Sequence, residues 1–440
     1  MSERSAVIVG AGLSGLSAAY RLQQAGVAVE VLERAPSAPA GRAYSTRRDG
    51  FLLDRGADAL VDGYVDYFRL AREVGLEQDL CPVTAPVGTI RDGRVINVQG
   101  SASSLLRTDL LSWRAKLRFF AGMAQLHRRI KGTDTAVLHQ LADIDDCSAQ
   151  DFGRRLFGQE ATDYLIEPMI RMLNGSDAAD ASAVDVVGDL ALGYGTPHAL
   201  RGGVGALPEA LQAKVAVSYG VEAVEVREGI SGVEVDVRGA DGASKTLKAD
   251  GCVLATMLEP AASLYRPVYE ATREMRAELS YIKLFKIQLG FSTRTRCEAF
   301  MVQSPRVEDG ELMGMFLDHN KCSDRAPDGH SLLSVYTDTR TSERFSGRSE
   351  DELVDWAYDK AITLFPELDG RLLFGVVTRW PLMGISNAPG SYRRAAAALA
   401  RLDANSRVQA GGDWFTKTSQ GAAVAAGERS SRALLRVLAS

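Results

Sequence analysis

The first sixty residues constrain the fold more than any other stretch of the chain. Ala6-Val7-Ile8-Val9 is a short β-branched run of the kind that fills a buried parallel strand. It leads directly into Gly10-Ala11-Gly12-Leu13-Ser14-Gly15, after which Leu16, Ala19, Tyr20 and Leu22 recur at helical spacing. A second strand pattern, Val27 to Leu32, ends on Glu33 and is followed by Arg34. Strand, GxGxxG, helix, strand and acid in this order describe a dinucleotide site. Gly10 makes the tight turn, Gly12 lets backbone approach a pyrophosphate, and Gly15 lets helix and strand pack closely. Leu13 and Ser14 open the helix, whose N-terminus offers free N–H groups and a positive dipole end. Glu33 is placed to accept hydrogen bonds from ribose hydroxyls. Which dinucleotide binds is left open by the motif itself.

The rest of the composition narrows the class. A length of 440 residues calls for two or three domains rather than one core. The net charge of −5, with basic residues scattered, gives no reason to expect nucleic acid. Five cysteines stand far apart without a CxxC, and the five histidines form neither HExxH nor a close pair, which argues against a metal site. An odd, dispersed set of cysteines reads as reduced thiols in a cytoplasmic protein. No run of eighteen apolar residues occurs, and the apolar start is broken by glycines that the nucleotide fold needs, so it does not read as a signal peptide.

Downstream, Gly41-Arg42 precedes Asp49-Gly50-Phe51-Leu52-Leu53-Asp54-Arg55-Gly56-Ala57-Asp58, whose glycines suggest backbone passing tightly against a flat ligand. Arg42 reads equally as a phosphate contact or as a surface arginine. These two stretches, GAGLSGLSAAYRLQQAGVAVEVLER and AGRAYSTRRDGFLLDRGADAL, resemble flavoproteins of the amine oxidase, protoporphyrinogen oxidase and phytoene desaturase superfamily. In those families the second segment reads Gly-Gly-Arg and lies along the FAD. The resemblance therefore implies that Gly41, Arg42, Gly56 and Ala57 line the cofactor, with Ala40 standing where the family has its first glycine. Val221 resembles the first residue of a strand that meets the adenine through its backbone. Gly411-Gly412-Asp413 and Gly421-Ala422-Ala423 resemble the closing motif, in which the aspartate meets the ribityl or diphosphate part of FAD. There Ala422 and Ala423 open a helix pointed at the flavin ring. Gly202 to Pro208 follows no strand, so it is not a second dinucleotide site, and the chain is expected to take electrons from its substrate rather than from a nicotinamide.

Tyr281 to Phe291 reads as a strand in which Tyr281, Lys283, Phe285, Ile287 and Leu289 share one face, with Lys286 and Gln288 on the other. Lys283 then lies on the apolar side, where a lysine is costly without a partner or a task. The segment is similar to the Tyr-x-Lys-x-Phe strand of polyamine and monoamine oxidases, which implies that Lys283 is catalytic, holding water near the flavin and helping its reoxidation by oxygen. Tyr336, Asp338 and Arg340 share a strand face and with Arg379 form a weaker pocket set, more readily read as solvated. No cysteine follows Cys322, so the resemblance implies noncovalent FAD. The family's amine-caging aromatic falls near Ser419, which leaves an amine substrate without a recognisable cage.

The expected fold is α/β: a discontinuous Rossmann-type FAD-binding domain (1–65, 200–260 and 395–440) and a mixed-sheet substrate domain (66–199 and 261–394) with a helical lobe over about 105–190. Leu105 to Ile130 is a basic amphipathic stretch, read as packing on the main body in preference to peripheral membrane contact. The expected function is hydride removal from a C–H bond of a small organic substrate, with electrons passed to oxygen, releasing peroxide, or to a quinone. The rivals are a redox-neutral flavin-dependent isomerase or cyclase, a single-Rossmann aromatic hydroxylase, and a flavin-binding protein without turnover.

Overall fold

Every strand pair in the sheet built on Ser5–Val9 is parallel, as its nearly continuous burial requires. The computed structural model describes residues 4–39, 41–98, 101–193 and 195–439, so the Ala40 position lies outside the described residues. The sheet runs Val217–Tyr219, Ala28–Glu33, Ser5–Val9, Gly251–Leu254, Val408–Ala410, drawing its five strands from the start, middle and end of the chain. Helices Leu13–Gln24 and Gln420–Ala439 pack together on one side of it, joined in a single apolar core with Ile8, Val31, Val253 and Leu434.

The apolar run Leu247 to Thr256, which reads as one strand, is divided between two sheets. Ser244–Ala249 closes an antiparallel meander with Val221–Glu228 and Val233–Gly239, and Gly251–Leu254 crosses into the parallel sheet beside Ser5–Val9. The crossing is fixed at Asp250, whose carboxylate accepts the Ser5 N–H at 2.8 Å. It is fixed also at Gly251, where a Cβ would lie 2.4 Å from Leu434.

A seven-stranded mixed sheet runs Leu372–Ile385, Tyr281–Phe291, Ser331–Thr337, Leu312–Leu317, Met301–Gln303, Val87–Arg91, Arg94–Val98. One face packs Phe285, Ile287 and Leu289 against Leu353, Ala357 and Ala361 of helix Glu350–Leu364. That helix opens with a reciprocal Ser349–Glu352 capping box. The other face turns toward the Gly56–Asp58 segment.

Helices Trp113–Lys131, Ala149–Phe157 and Ala183–Leu192 share a separate apolar core. In the first of these, Ala115, Phe119, Gly122, Leu126 and Ile130 are buried, and Trp113 and Leu117, expected on the apolar stripe, are 65% and 67% exposed. Gly122 explains the choice of face: a Cβ there would lie 2.6 Å from the Phe157 ring, so the helices cross where no side chain intervenes. Among the described residues no helix is long and apolar enough to cross a membrane.

Candidate active site

The glycine turn has the geometry its sequence demands. Gly10 adopts φ +104° and donates its N–H to Leu32 O at 2.8 Å. A Cβ on Gly15 would lie 1.8 Å from Gly10 O, so only glycine fits there. Gly12 has open space above it, since a Cβ there would meet nothing within 4 Å, and helix Leu13–Gln24 starts with no side-chain cap and no acid in its first turn. Ser14 Oγ donates to Gly411 O, pinning the helix start to the last strand-to-helix connection. The Glu33 carboxylate accepts the Ala11 and Ala35 N–H groups at 2.9 and 2.8 Å, which fixes it beside the turn. Gly220 N–H donates to Ala35 O at 2.8 Å, placing the backbone of Val221 next to the same corner. Arg34 points outward, 76% exposed, near Glu222.

Gly41-Arg42 crosses this turn, with a Gly41 Cβ position only 3.2 Å from Gly12 Cα. Gly56 abuts Arg42 so closely that a Cβ would lie 1.9 Å from its carbonyl oxygen, and Ala57 N–H donates to that oxygen at 3.1 Å. Arg42 in turn donates to Asp413 at 3.1 Å and to Met383 O at 2.8 Å, so one guanidinium joins the first segment, the mixed sheet and the closing motif. Trp380 donates from Nε1 to Arg55 O at 2.9 Å. At the start of Gln420–Ala439, Ala422 N–H donates to Ser419 Oγ at 3.0 Å, and Gly421 packs on Tyr64. Ala423 N–H donates to Ser419 O. Gln420 Oε1 is buried with no hydrogen-bond partner among the described residues.

These features fit FAD. An uncapped helix start with free space over Gly12 suits a pyrophosphate, and Glu33 suits a ribose. The unpaired Gln420 carbonyl offers an acceptor beside the Gly56–Ala57 segment, its own Nε2 donating to Ala59 O.

The lysine reading needs correction. Alternation does place Lys283 on the Phe285 face, but there it meets the short helix Thr339–Arg344 at the surface, its backbone N–H donating to Thr339 Oγ1 at 3.3 Å. Lys283 sits where the pairing with Leu372–Ile385 is interrupted between Ile282 and Leu284, and its side chain is 46% exposed, with Nζ 2.6 Å from Glu343. The buried lysine of this strand is Lys286, on the face that looked polar in the sequence. Its Nζ lies 2.7 Å from Asp58 and reaches toward Gly56 O at 3.5 Å.

Lys286 belongs to a closed buried network. Asp58 also takes Lys321 at 3.3 Å and the Tyr336 hydroxyl, and Lys321 pairs with Asp318. Two carboxylates and two ammonium groups thus balance in a site nearly free of solvent. Burial pushes the Asp58 carboxyl up, but Lys286 and Lys321 outweigh it and hold it below the usual range. Burial next to Asp58 drives the Tyr336 phenol well above its ordinary value, so it stays a hydrogen-bond donor. Of the weaker pocket set, only Tyr336 reaches this network. Asp338 caps the helix Thr339–Arg344 and binds Arg171 at 2.7 Å, Arg340 is exposed beside Asp180, and Arg379 lies over Phe285. Lys286, Asp58 and Lys321 escaped the sequence reading. The signal for Lys286 was its place between Phe285 and Ile287 in a strand apolar enough to be buried on both faces.

A parallel sheet closed by both ends of the chain, with a glycine turn at its helix start, defines a dinucleotide-binding protein that carries a second, mixed sheet. The family model of flavin-containing amine oxidoreductases matches residues 13–435, and the chain belongs to that family as an FAD-dependent oxidoreductase. Among curated proteins it is 30% identical over 186 residues to a coproporphyrinogen III oxidase of Staphylococcus aureus, 40% of this chain and 37% of that protein. It is 24% identical over 471 residues to the coproporphyrinogen III oxidase of Propionibacterium freudenreichii, covering 90% and 84%. The match to the first of these relatives spans little more than a third of its length. Among solved structures, a putative protoporphyrinogen oxidase from Exiguobacterium superposes with TM-score 0.75 at 18% identity over 100% of both chains. Cyclohexylamine oxidase from Brevibacterium oxydans gives 0.78 at 16% identity, again over 100% of both, which establishes the shared fold.

Proposed function

We propose that the protein oxidises a C–H bond of a small organic substrate and passes the electrons to oxygen, releasing hydrogen peroxide. FAD supplies the hydride acceptor, held noncovalently by Gly10–Gly15, Glu33, Arg42, Gly56, Ala57, Val221, Asp413 and Ala422–Ala423. The proposed division follows the sheets: the parallel sheet takes strands from 1–65, 200–260 and 395–440, and the mixed sheet from 66–199 and 261–394. We place the activity in the cytoplasm, on the reading of the cysteines as reduced thiols.

The observation that carries this reading is the Lys286–Asp58 pair, its lysine fully buried and tied through Gly56 O to the segment proposed to line the cofactor. A cation fixed there stabilises negative charge as it develops during electron transfer to oxygen, and needs no reorganisation because Asp58 already holds it. The field of Lys283, 46% exposed, is screened by water instead. Porphyrinogens, named in the relatives, and amines, named in the structural neighbours, are the two substrate classes to try first.

The test is anaerobic mixing of holoenzyme with members of each class, followed by admission of oxygen. A flavin that bleaches with one class and returns with stoichiometric peroxide is the expected result. Lys286→Met should slow reoxidation at least about tenfold, and Lys283→Met should leave it unchanged. Substrate conversion without net bleaching or peroxide would instead mean the redox-neutral isomerase or cyclase.

A further inference from the structure

Outside the flavin site, two cysteines distant in sequence meet. Cys81, on the short strand Leu80–Pro82, and Cys322, in the turn after Asp318–Asn320, have their sulfurs 3.2 Å apart. Both are free thiols. They differ in surroundings. Cys81 is half-exposed, and its sulfur accepts the Cys322 S–H. Cys322 is buried among Val83, Phe316 and Tyr336. Cys147, Cys252 and Cys297 belong to other parts of the molecule, Cys252 fully buried within the parallel sheet.

We infer that Cys81 and Cys322 form a peroxide-responsive thiol pair, with Cys81 as the attacking thiol and Cys322 as the resolving one. The half-exposed sulfur is the one a peroxide can reach, and a buried neighbour in contact is placed to resolve it. The Cys81 thiolate attacks one oxygen of a peroxide, the O–O bond breaks, and the departing hydroxide takes up a proton to leave as water. Cys81 is then a sulfenic acid. The Cys322 sulfur attacks the Cys81 sulfur, the S–S bond forms as the S–O bond breaks, and the second hydroxide leaves with the Cys322 proton. Two thiols are oxidised by two electrons in all, and one peroxide becomes two waters. The sulfurs must close from 3.2 Å to a bonding distance of about 2.05 Å, a movement of side-chain scale. The cross-link would tie strand Leu80–Pro82 to the turn that carries Lys321, and so to the Asp58 network. This inference stands apart from the proposed oxidase reaction, because the oxidant can be supplied from outside.

Holoenzyme treated with a few equivalents of hydrogen peroxide, then unfolded and titrated, should fall from five thiols to three. A non-reducing tryptic digest should join the peptide ending at Arg91 to Cys322-Ser323-Asp324-Arg325, and dithiothreitol should separate them. Cys81→Ser should stay at four thiols under the same treatment, and Cys322→Ser should fall from four to three, with a sulfenic acid on Cys81 that dimedone traps. Five thiols retained, a sulfinic acid on Cys81 with Cys322 intact, a cross-link to another cysteine, or a Cys322→Ser protein that keeps four thiols would each overturn the assignment.

Discussion

Asp185 is a carboxyl that folding puts in a place water cannot reach. It lies on helix Ala183–Leu192, 1% exposed, and accepts a hydrogen bond from the Tyr392 hydroxyl at 2.6 Å. Burial pushes its pKa up to about 7, and nearby Lys417 only partly offsets this because it is already paired with Asp189. An unfolded aspartate titrates near about 3.9, so between roughly pH 4 and pH 7 the folded state holds a proton that the unfolded state has lost. Stability from this group is therefore present at low pH and falls as pH rises through that window, by on the order of 4 kcal/mol. Glu167, pushed up to about 7 by burial, acts in the same direction. Asp185→Asn cannot ionise and keeps an oxygen for Tyr392. Urea midpoints measured from pH 5 to 8 should fall less steeply in the variant than in the parent, and the variant should be the more stable at pH 8. Parallel curves would refute the assignment. At this scale the sequence reveals charges by type but conceals where they sit. Lys283 and Lys286 are the example: period-two alternation sorted them correctly onto opposite faces, yet which face is dry depends on what packs there. Helix Glu350–Leu364 stops short of Lys283, and the Gly56–Asp58 segment, more than two hundred residues away in sequence, covers Lys286.

Elements were more legible than side-chain positions, because their signals are local. The strand–turn–helix–strand of the first sixty residues and the capped helix at Glu350 follow from period and punctuation. The split of Leu247 to Thr256 between two sheets did not, since both halves are equally apolar and the change of partner is made by Asp250 and Gly251. Contacts between elements are set by glycines that give no such local signal. In helix Gln420–Ala439, a Cβ on Gly427 would lie 2.3 Å from Ser14 O and 2.9 Å from Ser17 Cβ, so the two helices touch backbone to backbone. Gly427→Ala must push helix Gln420–Ala439 away from the start of Leu13–Gln24, at a cost of about 1–3 kcal/mol. Because Ser14 lies in the first turn of the helix proposed to face the cofactor, FAD affinity should fall as well. Gly132→Ala is the control: its Cβ would meet only Arg128 O at 3.5 Å and Arg129 O at 3.8 Å, and neither stability nor FAD content should change. Chemical melts of the apoproteins and titration with FAD separate the two effects; a Gly427→Ala protein with both values unaltered would show that the helices relax freely.

For the whole molecule the consequence is that its two ends are bound to each other through the site. Ser14 reaches Gly411, Arg42 reaches Asp413, and Glu428 takes both Arg21 at 2.5 Å and Arg69 at 2.9 Å. The residues proposed to hold FAD come from the same two ends and from Val221 between them, so FAD bound there would act as a noncovalent clamp between the ends. Acid should release the flavin intact into the supernatant, as a noncovalent group requires. Ligand linkage then gives the size of the clamp: free FAD at about a hundred times its Kd should stabilise the native state by about 2.7 kcal/mol. Two signals can report it. Trp414 is buried, with its indole donating to Thr256 O at 2.7 Å, and follows the parallel-sheet body; the rise of free-flavin fluorescence follows the site. Both should move to higher temperature together as FAD is added. Flavin release that precedes the tryptophan transition, with the latter insensitive to FAD, would mean that the ends are held by their own contacts and that the cofactor only occupies the space between them.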